Sequence, residues 1–286
     1  MSRFRAHDLL TNIDMGDQKP PEWMIRVKED SFKGGESFLA SRELDEVLAE
    51  MDALGVERAV ILGRMGALSE RARRFVEERP DRFSLGLGGF DFMRPMPSIR
   101  TLQSMVADFP VAYTISGPSF WGDGMYPPDH AVYFPLYTKA CELGLPVCLN
   151  TGIPGPPLPA EPQHPIHLDR VCIRFPELKL CMVHGADPWW DVAIRLMIKY
   201  ANLRLMTSAW SPKRLPDSLL HFMRTRGKNR VIFASDSPVL SQTRCINEAK
   251  ELDLPPDVLD AYLYANAQEF FFGGADEHAR TGAPGA

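Results

Sequence analysis

Short apolar runs alternate along this chain with amphipathic stretches of helical period. The runs fall at 7–13, 59–63, 83–87, 111–116, 146–150, 178–184, 203–208 and 230–236. Each has strand length and is close to continuously apolar, the pattern of a strand covered on both faces. The stretches between them repeat apolar residues every three or four positions. In 43–54, Leu44, Val47, Leu48, Met51 and Leu54 share one face and Gly55 follows as a C-terminal cap. Further helices are predicted at 68–79 (stopped by Pro80), 97–107, 132–143 (closing on Gly144), 167–175, 187–200, 215–226 and 255–272. The segment after the first run, with Pro20-Pro21-Glu22-Trp23 and Gly34-Gly35, reads as a long loop.

Eight strand–helix alternations predict an α/β protein, a single (β/α)8 barrel of the TIM type over residues 1–273. A doubly wound open sheet is the competing architecture. It usually carries Gly-x-Gly-x-x-Gly after its first strand, and no such motif follows the first run here. The tail 274–286 is small and polar and is expected to be flexible.

In such a barrel, polar residues at the C-terminal ends of strands face the active-site mouth. His184, in Cys181-Met-Val-His-Gly, and Asp236, in Val231-Ile-Phe-Ala-Ser-Asp-Ser-Pro, occupy those places in runs six and eight. They are the candidate catalytic pair, an imidazole and a carboxylate suited to proton transfer. The bland alternatives are a core histidine bound to a backbone carbonyl and an N-cap aspartate. Asn12, near the end of run one, and Asn150, which ends run five, can donate hydrogen bonds to substrate oxygens or merely fill a site that has lost its chemistry. Arg64, after run two, can clamp an anion or form a rim salt bridge. Ser208 and Trp210 close run seven and are expected to line the pocket. Trp121, Tyr126, Trp189 and Trp190 sit on other mouth loops, either for a flat ligand or for loop packing. His164 and His167, in the proline-rich loop after run five, are ligands for a relocated metal site or caps for the next helix.

Charge and composition narrow the partners. The net charge is −5 with 24% charged residues and no basic block, which argues against nucleic acid and for a small-molecule substrate. No apolar run approaches the roughly 20 residues of a membrane span. The N-terminus lacks a signal-like apolar region, and five cysteines form no Cys-x-x-Cys, so a reducing cytoplasm is expected.

Several segments, in order, resemble the amidohydrolase-related family, in the branch that includes aminocarboxymuconate-semialdehyde decarboxylase. They are Leu44-Asp-Glu-Val-Leu-Ala-Glu-Met-Asp-Ala-Leu-Gly-Val, Phe134-Pro-Leu-Tyr-Thr-Lys-Ala-Cys-Glu-Leu-Gly-Leu-Pro-Val, Phe175-Pro-Glu-Leu-Lys-Leu-Cys-Met-Val-His-Gly, Arg230-Val-Ile-Phe-Ala-Ser-Asp-Ser-Pro and Tyr264-Ala-Asn-Ala-Gln-Glu-Phe-Phe. The resemblance implies a barrel, His184 and Asp236 as site residues, and in many members a homodimer. It also implies a metal held by His-x-His on strand one, a histidine ending strand five, and the strand-eight aspartate.

Here the chain departs from the family. The His-x-His pair falls on Leu10/Asn12 or on Asn12/Asp14, and strand five ends in Asn150-Thr-Gly. Leucine is no ligand and an amide oxygen is a poor one for zinc. The expectation is therefore a hydrolase with no metal cofactor, acting on a lactone, ester or amide-like bond. A metal-free precedent in the family is 2-pyrone-4,6-dicarboxylate lactonase. The alternatives are a metal at His184/Asp236 with decarboxylase or other lyase chemistry, and a non-catalytic binding protein.

Overall fold

The computed structural model describes residues 4–17, 19–120 and 126–273. Trp121 and the 274–286 tail lie outside the described residues. Eight parallel strands form one sheet in sequence order: β1 Ala6–Thr11, β2 Val56–Arg64, β3 Phe83–Gly88, β4 Val111–Ser116, β5 Val147–Asn150, β6 Leu180–Val183, β7 Leu203–Met206 and β8 Val231–Ile232. The sheet closes on itself where the backbone beyond β8 meets β1. Asp236 N donates to Leu10 O at 3.0 Å, Asn12 N donates to Ser237 O at 2.6 Å, and Thr11 bridges Ser237 in parallel. The protein is a (β/α)8 TIM barrel.

The main outer helices are α2 Leu44–Leu54, α3 Glu70–Glu78, α4 Pro95–Asp108, α5 Phe134–Leu143, α6 His167–Arg174, α7 Trp190–Lys199, α8 Asp217–Thr225 and α9 Gln242–Lys250. α1 is a short helix, Glu22–Arg26, that runs on into a wide turn at Val27–Phe32. α10, Pro256–Asp260, begins the last helical stretch, which ends in wide turns reaching Phe272. The outward sheet residues, such as Ala59, Ile61, Leu85, Leu149 and Leu205, pack against these helices in one large core. A second core fills the barrel interior and includes Leu10, Val60, Tyr113, Cys148, Cys181, Val183, Met206 and Ile232.

The interior explains several small residues. A Cβ on Gly86 would lie 2.4 Å from the Tyr113 ring, so glycine leaves the space that this fully buried ring occupies. Tyr113 Oη in turn donates to Leu9 O at 2.6 Å. The strands' N-terminal end is plugged by the final helical stretch. Ala267, Phe270, Phe271 and Phe272 join the interior core, and Lys179, just before β6, donates to Phe270 O. With that end filled, the open end is the one that carries His184 and Asp236.

Two elements differ from the expectation. The segment after β1 contains α1 and further short turns instead of a bare loop. Between β8 and the last helical stretch lies α9, where no helix is predicted. Its apolar positions are few, but Ser241 caps it, its Oγ accepting from Arg244 N at 3.3 Å.

Candidate active site

The C-terminal ends of β1, β5, β6 and β8 converge on a chamber of about 460 Å3 lined by Asn12, Asn150, His184 and Asp236. The strand-end backbone turns sharply to present them. His184, Ala209 and Asp236 all adopt left-handed conformations, with φ of 65°, 61° and 64°. For residues with a Cβ this costs about 1–2 kcal/mol each, strain of the kind that collects at functional sites. The glycine after His184 has a separate cause. At φ 69°, a Cβ on Gly185 would stand 2.3 Å from the Trp190 ring, so only glycine lets that indole close against the backbone beside His184.

Asp236 Oδ1 accepts from Asn12 Nδ2 at 2.9 Å. Burial pushes the Asp236 carboxyl up to about 8, and the neighbouring Asp8 adds to the rise while the Asn12 bond opposes it. The Asp236 side chain caps no helix, since Ser241 fills that role for α9. Asp8 is fully buried behind the strand ends. It accepts from Ser235 N at 2.8 Å, Ser235 Oγ at 2.5 Å and Gln242 Nε2 at 2.8 Å. Burial outweighs these donors and raises its pKa as well.

His184 is held from behind. Ser208 Oγ lies 3.0 Å from its Nδ1 and accepts from its backbone N at 3.2 Å, while Trp210 Nε1 donates to its carbonyl at 2.8 Å. Burial lowers its pKa to about 4, so the ring is neutral at physiological pH. Asn150 Oδ1 is buried with no hydrogen-bond partner among the described residues. An acceptor left so costs about 1–3 kcal/mol.

The other expected site residues separate. Trp210 lines the chamber. Ser208 is fully buried and serves His184 from behind, a correction to its expected place on the pocket wall. Arg64 borders an adjoining cavity. Leu10 belongs to the interior core, and Asp14 is bound to Arg71 at 2.7 Å and Ser69 at 2.6 Å on the rim. The inward pair on strand one is therefore Leu10/Asn12.

His164 and His167 do not line the chamber. His164 Nδ1 accepts from Ile166 N at 3.1 Å, and His167 sits between Asp129 and Glu161 at 3.2 and 3.0 Å. Tyr126 stacks on His130, Trp189 packs on His164, and Trp190 packs on Trp210. Those three aromatics are loop and helix packing.

Residues 30–273 match the amidohydrolase family. The chain belongs to that family. No curated protein matches the sequence. Among solved structures, an uncharacterised TIM-barrel protein from Bordetella bronchiseptica superposes with a TM-score of 0.76 at 22% identity, covering 93% of this chain and 98% of that one. A 2,6-dihydroxybenzoate decarboxylase from Rhizobium gives 0.64 at 18% identity over the same shares. A 4-oxalomesaconate hydratase from Rhodopseudomonas palustris gives 0.63 at 15%, covering 96% and 98%. At these identities the likeness carries the fold alone.

The chamber is also lined by residues that the sequence did not single out. Trp23, Met24, Val27, Phe32 and Phe38, from the long segment after β1, wall the chamber. Gln163 lines it too, buried, its Nε2 donating to Gly152 O at 3.0 Å. The one available signal was the density of bulky apolar residues in a segment without period.

Proposed function

We propose that this amidohydrolase is a hydrolase that works without a metal on a small carbonyl-bearing substrate, a lactone, ester or amide-like compound. Asp236, when ionised, takes a proton from water, and the resulting hydroxide adds to the carbonyl carbon. The oxyanion meets the amide N–H groups at the chamber floor and the neutral imidazole of His184. Asp236 then returns its proton to the leaving oxygen or nitrogen as the tetrahedral adduct collapses. With its pKa lowered to about 4, His184 is a poor proton carrier at neutral pH and acts here as a fixed dipole.

The observation that carries this reading is the Asn12–Asp236 hydrogen bond, 2.9 Å long at the mouth of the closed β1–β8 seam. The carboxylate that would bind a family-type metal is engaged instead by an amide. Among the described residues no three His, Cys, Asp or Glu side chains stand together as a ligand set. Leu10 offers no donor, and Asn150 offers only an amide, a weak ligand for zinc. The residues present do not fit that metal. A pKa near 8 supports the role of Asp236, because a general base works best with its pKa near the working pH.

A second reading has its own support. Decarboxylases recur among the superposed structures, and a carboxyl with a pKa near 8 rests protonated at neutral pH, ready to protonate a carbanion. Screening lactones, esters and aromatic acids with product analysis separates the two. Water-derived oxygen in the product supports hydrolysis, whereas release of carbon dioxide supports the lyase. Elemental analysis of purified protein tests the metal-free part: about one zinc or manganese per chain would sink it.

A further inference from the structure

The polar floor opens on a second side. Asn150 and His184, with Leu62 and Phe120, line both the 460 Å3 chamber and an adjoining cavity of about 590 Å3. The two cavities are therefore lobes of one site that meet over the candidate reacting groups. Their chemistry differs. The first lobe is walled by bulky apolar side chains such as Trp23 and Phe38. The second, between the ends of β2, β3 and β4, contains Arg64 as its one cation among the described residues.

Arg64 is exposed to this lobe, and its guanidinium has no ion pair or hydrogen bond among the described residues. Other arginines on the same side of the barrel are committed: Arg71 to Asp14, Asp17 and Glu43, and Arg42 to Glu46 and Glu50. The Arg64 stem lies against Gly89, where a Cβ would come within 3.3 Å of Arg64 Cγ. Gly89 has φ 91°, so that position is strained for any other residue. The one carboxylate in the lobe among the described residues, Asp91, is turned to its own chain, its Oδ1 accepting from Met93 N and Arg94 N at 3.0 and 3.1 Å. A single planar guanidinium with free donors matches one carboxylate through two parallel N–H···O bonds.

We infer that the second lobe is an anion subsite, in which Arg64 clamps a carboxylate of the substrate while its apolar body lies under Trp23 and Phe38. The substrate class is an amphiphilic monocarboxylate long enough to cross the polar floor. The position of the reacting bond, over Asn150 and His184, rests on the proposed hydrolytic reading. The charge subsite does not.

Full-length protein is titrated with 4-phenylbutyrate and with its uncharged amide, using calorimetry and tryptophan fluorescence. Charge-assisted hydrogen bonds should favour the acid by about tenfold or more at low salt. Arg64→Gln should bring the acid to the affinity of the amide and leave the amide unchanged, and Arg64→Lys should keep only part of the preference. Because Arg64 is exposed, neither change threatens folding. Equal affinities, an undiminished preference in Arg64→Gln, or no measurable binding of the acid would each overturn the subsite. Asp236→Asn separates the two claims, because it should slow hydrolysis by about 10²–10⁴-fold yet keep the preference for the acid. A lost preference in the wild type condemns the subsite alone, and full turnover in Asp236→Asn condemns the mechanism alone.

Discussion

Asp236 and His184 occupy opposite corners of residue-scale electrostatics: burial makes one carboxyl hard to ionise and one imidazole hard to protonate. If Asp236 is a general base, kcat/KM for hydrolysis should rise with pH and level off above about 8. If it is instead a proton donor, the rate should fall through the same pH. Asp236→Asn should lower turnover by about 10²–10⁴-fold under either role, the usual worth of one general acid or base. Stability carries the same signature. A folded-state pKa raised to about 8 means that the native state holds a proton the unfolded chain has lost above pH 4, so stability falls as pH rises toward 8. His184 opposes this between its folded value of about 4 and the usual 6.5, where the unfolded chain holds the extra proton. The net loss should therefore appear between pH 6.5 and 8, with a slope of up to about 1.4 kcal/mol per pH unit. Urea titrations of wild type and Asp236→Asn across that window check it: the variant should show a flatter profile.

Strand ends and helices show why some of the site was legible and some was not. His184, Asp236, Asn12 and Asn150 were readable because each terminates an apolar run, and a parallel barrel aims such positions at one mouth. Their protonation states were not readable, because those depend on burial by residues distant in sequence. Ser208 was misplaced for a related reason. Ser208 lies two positions past β7, the next residue, Ala209, turns the chain in a left-handed conformation, and alternation along a strand no longer tells in from out. α9 escaped because its buried face contains Gln242, which serves Asp8 rather than an apolar core. The β3–β4 pair offers a test of the interior reading. Gly86 lies opposite Tyr113, whose ring is fully buried and bonded to Leu9 O, so it cannot yield to a new methyl. Gly86→Ala should destabilise the protein by about 1–3 kcal/mol, as overpacked interiors do. An unchanged midpoint in chemical denaturation would show that the interior is looser than described.

At the scale of the whole molecule, strands and helices of the barrel share a core, and among the described residues the segment between β1 and α2 is thinly anchored to it. Neither α1 nor the wide turn after it buries a residue fully, yet their apolar side chains form one wall of the candidate site. The start of this segment is fastened mainly by Arg71 on α3, which reaches Asp14 at 2.7 Å and Asp17 at 2.5 Å and pairs with Glu43 just before α2 at 3.2 Å. Ser41 adds a bond to Asp17 at 2.5 Å, and Ser69 one to Asp14 at 2.6 Å. Local opening draws on few buried contacts here, so it should be easier than global unfolding. Arg71→Ala removes the shared cation without touching the barrel core. Limited proteolysis should then cut within residues 15–40 several-fold faster, while the thermal midpoint moves little. High salt should reproduce part of the effect in the wild type, because the pairs are partly exposed and screened. For substrates lying under Trp23 and Phe38, KM should rise more than kcat falls, since the wall binds the body and does not touch the reacting bond. Cleavage at the wild-type rate would mean that packing of the apolar wall, and not the ionic fastening, holds the segment in place.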